Sequence, residues 1–98
     1  SSIGLVVVDQ KIIDFSKSII AYLNDKNIQA DAITADKDSP FFTVHIDNSR
    51  ILVSKKDTIE SFASKFNAVT KDKDAPGYIQ SLEYLDLRLN TKVFLKEK

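Results

Sequence analysis

The stretch Phe41-Phe42-Thr43-Val44-His45-Ile46-Asp47-Asn48-Ser49-Arg50-Ile51-Leu52-Val53-Ser54 decides the fold. In its first half Phe42, Val44 and Ile46 share one side of a strand, and Phe41, Thr43 and His45 the other, because successive strand side chains point to opposite faces. Asp47-Asn48-Ser49 is a turn signal, since Asn and Asp bond to their own backbone, and residues 50–54 return as a second strand. The segment therefore predicts a hairpin with one apolar face. Such a hairpin is not stable alone, so the rest of the chain must cover that face.

Toward the N-terminus, the polar residues 35–40 end in Pro40 and read as a loop, and residues 28–34 read as a further strand. Before it, Ile12, Phe15, Ile19, Tyr22 and Leu23 recur at helical spacing, which predicts a helix over 9–24 with Asp9 placed to cap it. Asn24-Asp25-Lys26-Asn27 ends that helix.

Toward the C-terminus, Asp57-Thr58-Ile59-Glu60 supplies a cap with Glu three residues on, and Ile59, Phe62, Ala63, Phe66 and Val69 form the stripe of a second helix ending near Lys71. Residues 71–77 read as a charged loop closed by Pro76-Gly77. Two last strands are expected over 79–89 and 92–96, around a turn at Asn90-Thr91. The expectation is a single α+β domain over 1–98: a largely antiparallel five-stranded sheet with two helices packed on one face, in the order α-β-β-β-α-β-β. The opposite face would meet solvent or a partner.

Composition narrows the function classes. A chain of 98 residues has room for one core. Fourteen basic side chains balance fourteen acidic ones, which leaves no net field to draw a nucleic acid or an acidic membrane surface. Cysteine is absent, so disulfides, thiolate metal sites and cysteine nucleophiles are excluded. The longest apolar run, Leu5 to Val8 with Ile3 just before it, is far short of the roughly 20 residues of a membrane helix. The absence of methionine and of a signal peptide, with Ser1-Ser2 resembling an artificial remnant, gives the expectation of a piece cut from a longer protein.

Catalytic patterns are not found. His45 is the single histidine and has no second ligand at metal-like spacing, so it reads as a strand histidine on the polar face. No serine lies in a G-x-S-x-G elbow. Gly4 and Gly77 are too far apart for a phosphate-binding loop. Asp36 with Asp38, and Asp72 with Asp74, sit among lysines in loops where water solvates them. Of Phe41 and Phe42 one must face the core, and the other has no basic field around it, so a structural or protein-contact aromatic is favoured over a base-stacking one. No cofactor, metal or small-molecule substrate is expected.

What remains is the C-terminal strand pair. In the last strand Val93 and Leu95 alternate inward, while Lys92, Phe94 and Lys96 point out and give an apolar contact between two lysines. Lysines on a strand also protect an unoccupied edge from self-association. Asp86 and Arg88 fall on the face opposite Leu85 and Leu87, where they could meet a partner or form a surface ion pair.

Tyr84-Leu85-Asp86-Leu87-Arg88-Leu89, followed by Lys92-Val93-Phe94-Leu95-Lys96, resembles the end of the extracytoplasmic β domain of FtsQ/DivIB, a bacterial divisome protein family. The family pattern is a hydrophobic-Asp-Leu-Arg-aromatic strand with a hydrophobic strand after it. Phe42-Thr43-Val44-His45-Ile46, the Asn48 turn, Ile51-Leu52-Val53 and the helix opening at Asp57 match in order and spacing, so the likeness covers nearly the whole chain. Leu89 stands where the family places an aromatic, and the first segment is shorter than the family's.

The resemblance implies a non-enzymatic scaffold of cell division on the extracytoplasmic face of the cytoplasmic membrane. It also implies a cytoplasmic tail, one membrane helix and a POTRA domain ahead of this segment, and small membrane-anchored partners of the FtsB/DivIC and FtsL kinds. Binding would occur by β-augmentation, an edge strand pairing with a strand of the partner. Arg88 and Leu89 are contact residues by resemblance, and Phe94, Lys92 and Lys96 by alternation. Competing readings are another exported assembly module of POTRA type, whose β-α-α-β-β order this chain does not follow, and an enzyme of unknown type.

Overall fold

The computed structural model describes residues 10–98, so the Asp9 cap, the apolar run from Leu5 to Val8 and the Ser1-Ser2 start lie outside the described residues. Helix α1 spans Gln10–Asp25, with Ile12, Ser16, Ile19 and Leu23 buried and Phe15 and Tyr22 flanking them half-buried. Its end is stereochemically defined. Asn27 adopts a left-handed backbone at φ 63, and the amides of Ile28 and Asn27 return to the carbonyls of Leu23 and Asn24 at 2.8 and 3.0 Å. This is the Schellman arrangement, with an asparagine in place of the usual glycine and the buried pair Leu23 and Ile28 closing it.

That cap takes Ile28 from the residues expected to start the first strand. Strand β1 spans only Ala32–Ala35, its ladder prolonged by the Asp31 amide on the His45 carbonyl at 2.7 Å. The deciding hairpin is present as β2, Phe41–Ile46, and β3, Ser49–Ser54. Ser49 belongs to the strand, opposite Ile46, and the turn is Asp47-Asn48 with Asp47 at φ 52.

Helix α2 spans Ile59–Thr70 and is capped by Thr58, whose hydroxyl accepts from the Ser61 amide at 3.1 Å. The expected cap at Asp57 is thus displaced by one residue to Thr58, which puts Ser61 rather than Glu60 at the third helical position, while the Asp57 carboxylate accepts from the Thr58 amide and from Lys65. The expected loop over 71–77 instead leads into a third helix, α3, Ala75–Gln80. Pro76 falls in its first turn, where a proline removes no helical hydrogen bond, so Pro-Gly here opens a helix rather than breaking one. The chain then forms β4, Leu82–Asp86, and β5, Phe94–Glu97, both shorter than expected.

The sheet runs in the order β1-β2-β3-β4-β5, and three of its four pairings are antiparallel. The fourth, β3 with β4, is parallel, so the sheet is mixed but largely antiparallel, as expected. Residues 55–81, carrying α2 and α3, form the crossover that a parallel pair requires. Ser49 ties the crossover to the hairpin, its hydroxyl 2.9 Å from the Ile79 carbonyl and 2.7 Å from that of Leu82.

Register aligns Ile33, Val44, Ile51 and Leu85 across four strands, with Phe42 opposite Val53 on the same side. All six are buried and share one core with Ile19, Leu23, Phe62 and Phe66. Phe15 meets Phe42 edge-on at 5.6 Å, and Tyr22 stands edge-on to Phe62 and Phe66 at 5.9 and 5.8 Å, joining α1 to α2. The other side of the sheet carries Thr43, Leu52, Asp86 and Phe94 in one row and His45, Arg50, Tyr84 and Lys96 in the next.

Candidate functional site

β5 is one of the two outer strands, opposite β1, and has β4 as its one neighbour in the sheet. Its pairing sets Phe94 opposite Asp86, Leu95 opposite Leu85 and Lys96 opposite Tyr84, with a register shift between Leu82 and Tyr84. All four of its residues are exposed. Among the described residues the exposed large apolar side chains are Leu89, Phe94 and Leu95, at 48, 49 and 39%. They fall within seven consecutive positions, Phe94 and Leu95 on β5 itself and Leu89 in the connection after β4.

Phe94 and Lys96 point to the face away from the core, as alternation requires. Val93 packs against the core. Leu95 does not behave as expected. It lies on the same side as the buried Leu85, but at the margin its side chain remains exposed. Alternation assigns a side, whereas burial requires a covering element. Lys92 is exposed and lies in the connection before the strand, since β5 starts at Phe94.

The elbow between β4 and β5 is tightly bonded. Arg88 grips Asp86 through Nε–Oδ1 at 2.9 Å and Nη2–Oδ2 at 2.7 Å, and its own amide donates to Oδ1 at 3.0 Å. The guanidinium carbon sits 4.7 Å from the centre of the Phe41 ring. The Arg88 hydrogen bonds hold the Asp86 carboxyl below its ordinary range, against the opposing effect of burial, and the backbone bond and the cation's charge add to them. The Asp86 bonds raise Arg88 in turn. Asp86 is therefore a buried, fully engaged acceptor, while its partner's side chain stays 40% exposed.

Phe42 is buried, and Phe41, half-buried on the opposite side, carries the Arg88 guanidinium. Beside them a shallow depression of about 310 Å³ is lined by Pro40, Phe41, Ser54, Arg88 and Leu89. Arg88 and Leu89, assigned by resemblance, thus share one concavity. They stand at the end of β4 from which the chain departs toward Phe94.

One constellation escaped the sequence. Lys65 of α2 points its ammonium at Asp57 Oδ2, at 2.8 Å, and at the carbonyl oxygens of Leu87 and Leu89, at 2.8 and 3.4 Å. The lysine and aspartate side chains are only 11 and 4% exposed. Burial pushes the Asp57 carboxyl up, but hydrogen bonds from Lys65, Ser61 and Thr58, with the charge of Lys65, outweigh it and hold the group below its ordinary range. Lys65 follows Phe62 by three and precedes Phe66 by one, a position bordering the apolar stripe. That border was the available signal.

The remaining polar candidates are engaged in local structure. His45 places Nε2 2.9 Å from the Thr34 hydroxyl. Asp36 accepts from the Asp38 amide at 3.0 Å and presents its carbonyl to Lys55 at 2.6 Å. Asp74 precedes α3, and Asp72 sits at φ 62 in the connection. Among the described residues no group of three or more His, Cys, Asp or Glu is arranged to hold a metal, and no helix is long and apolar enough to cross a membrane. Comparison with protein-family models, curated proteins and solved structures finds no match to the chain.

Proposed function

We propose that the chain is a protein-binding module that accepts an extended segment of a partner along the free edge of β5. The observation that carries this reading is that two of the three exposed large apolar side chains of the described residues, Phe94 and Leu95, lie on that one strand. An unpaired edge offers main-chain donors and acceptors, and alternate side chains supply specificity on both faces of the added strand. Phe94 and Lys96 would meet its side chains on the open face, and Leu95 on the core side. The lysines disfavour pairing of the edge with a second copy of itself.

The finer reading follows the resemblance of residues 84–96 to the FtsQ/DivIB β domain. In it the chain is a non-enzymatic scaffold of bacterial septum assembly, outside the cytoplasmic membrane, and its partners are small membrane-anchored proteins of the FtsB/DivIC and FtsL kinds. Arg88, Leu89, Lys92, Phe94 and Lys96 form the contact set. The test is a pull-down of membrane-anchored division proteins with the wild type and with Phe94→Asp, the variant's fold checked by circular dichroism. Loss of capture by a folded variant is expected. Equal capture by both overturns the edge-strand reading.

A further inference from the structure

We infer that Lys65 is the positioning residue of the β5 edge: by bonding the Leu87 and Leu89 carbonyls it fixes the elbow from which β5 departs, and so keeps that strand seated on β4. The inference rests on the reading of β5 as the partner-binding strand.

β5 holds itself in place poorly. It buries no residue, its ladder is interrupted by a register shift, and its ion pair, Lys96 with Glu83 at 3.3 Å, is open to water on both sides. Elements with few buried contacts are the first to open locally. Val93 and the Lys98 amide, bonded to the Ser81 carbonyl at 3.1 Å, are its further attachments.

The elbow is built in the opposite manner. The Leu87 amide extends the parallel ladder to the Leu52 carbonyl at 2.9 Å, and the Arg88 amide is taken by Asp86. The β4–β5 register stops at Asp86 and Phe94, so the carbonyls of Leu87 and Leu89 lie beyond its last pair. At the partly buried Leu87 carbonyl a backbone acceptor with no strand partner needs another donor, and Lys65 provides it; the longer bond to the Leu89 carbonyl lies in the open. An ammonium has three hydrogens to give, and Asp57, Leu87 and Leu89 are its three acceptors.

The charge is not needed for packing. An apolar side chain of similar length would fill the place without the cost of dehydrating an ion pair. What an apolar side chain cannot do is bond two carbonyls of the elbow, those of Leu87 and Leu89, to α2. Asp57 completes the arrangement by neutralising the ammonium, which leaves the two carbonyls as the specific product of having a lysine at this position.

Hydrogen exchange on the chain itself, without a partner, tests this. Asp57→Asn keeps the lysine and its carbonyl bonds, whereas Asp57→Asn combined with Lys65→Met removes both bonds without leaving a buried lone carboxylate. In the double variant the protected amides over 94–98, where β5 pairs with β4 and Lys98 bonds to Ser81, are expected to exchange at least about tenfold faster, with Val44, Ile51 and Val53 unchanged. Asp57→Asn alone should leave them protected. Unchanged exchange in the double variant overturns the inference, as does an equal acceleration in the β2–β3 hairpin, or opening of β5 in Asp57→Asn alone. None of these outcomes bears on the Phe94→Asp capture experiment, so the two readings fail separately.

Discussion

Arg88 reaches back two residues and closes both side-chain ends of its guanidinium on the Asp86 carboxylate, at 2.9 and 2.7 Å. The pair closes the Asp-Leu-Arg segment into a corner. Leu87 is buried between them in sequence, so backbone alternation puts both charged groups on the opposite face.

The corner predicts a defined acid response. The Asp86 carboxyl is held below its ordinary value, so its contribution to stability is fully present above the unfolded pKa of about 3.9 and is lost as pH falls through the lower folded value. Asp57 has the same sign. Carboxyl NMR titration should show both groups titrating below the ordinary range, with Asp86 returning upward in Arg88→Ala.

Removing Arg88 should cost little global stability. Its side chain is 40% exposed, so water screens the pair and Arg88→Ala is expected to cost on the order of 1 kcal/mol in urea unfolding. Arg88→Lys should recover only part of that loss, because an ammonium cannot make the two-pronged contact.

Leu95 and Leu85 are opposite neighbours with unequal roles. Leu85→Ala should cost about 2–5 kcal/mol, as a cavity in the core does. Leu95→Ser should cost about 0.5 kcal/mol or less, since the side chain is exposed, while weakening capture of a partner. Urea unfolding of the two variants side by side measures the difference.

At the α2 N-terminus Thr58 caps through its hydroxyl, and Thr58→Ala should cost about 1 kcal/mol in the same measurement. Gly77 offers the opposite sign. A Cβ there would stand 2.7 Å from Asp74 Oδ2, the movable end of an exposed side chain that makes no capping bond. Gly77→Ala should therefore stabilise the chain by roughly 0.5 kcal/mol through helix propensity, seen as a higher unfolding midpoint.

Local periodicity carried much of the fold. The alternation of Phe42, Val44 and Ile46 and the stripe of Phe62 and Phe66 were legible because each repeats within its own element. The third helix was not, since Pro76-Gly77 signals a break unless proline falls in a first turn, which depends on where the helix starts. The parallel pairing of β3 with β4 is a long-range choice, and nothing in residues 82–86 distinguishes it from an antiparallel one. For the site, alternation placed Phe94 outward and Leu95 inward, but could not tell that Leu95 would be left uncovered. The Lys65 contacts join α2 to carbonyl oxygens more than twenty residues away, and a carbonyl has no letter in a sequence.

The parallel pairing also sets an order of assembly. The β1-β2-β3 meander joins neighbours in sequence and closes short loops, so it can form early. β4 and β5 are likewise neighbours in sequence, but joining them to the meander requires residues 55–81 to lay down the crossover. The edge proposed to receive a partner is thus mounted on the rest of the sheet through its one long-range pairing, and a molecule in which β3 and β4 have not met presents β5 without the core behind it. Recruitment through β5 would then distinguish molecules whose crossover has closed from those whose crossover has not.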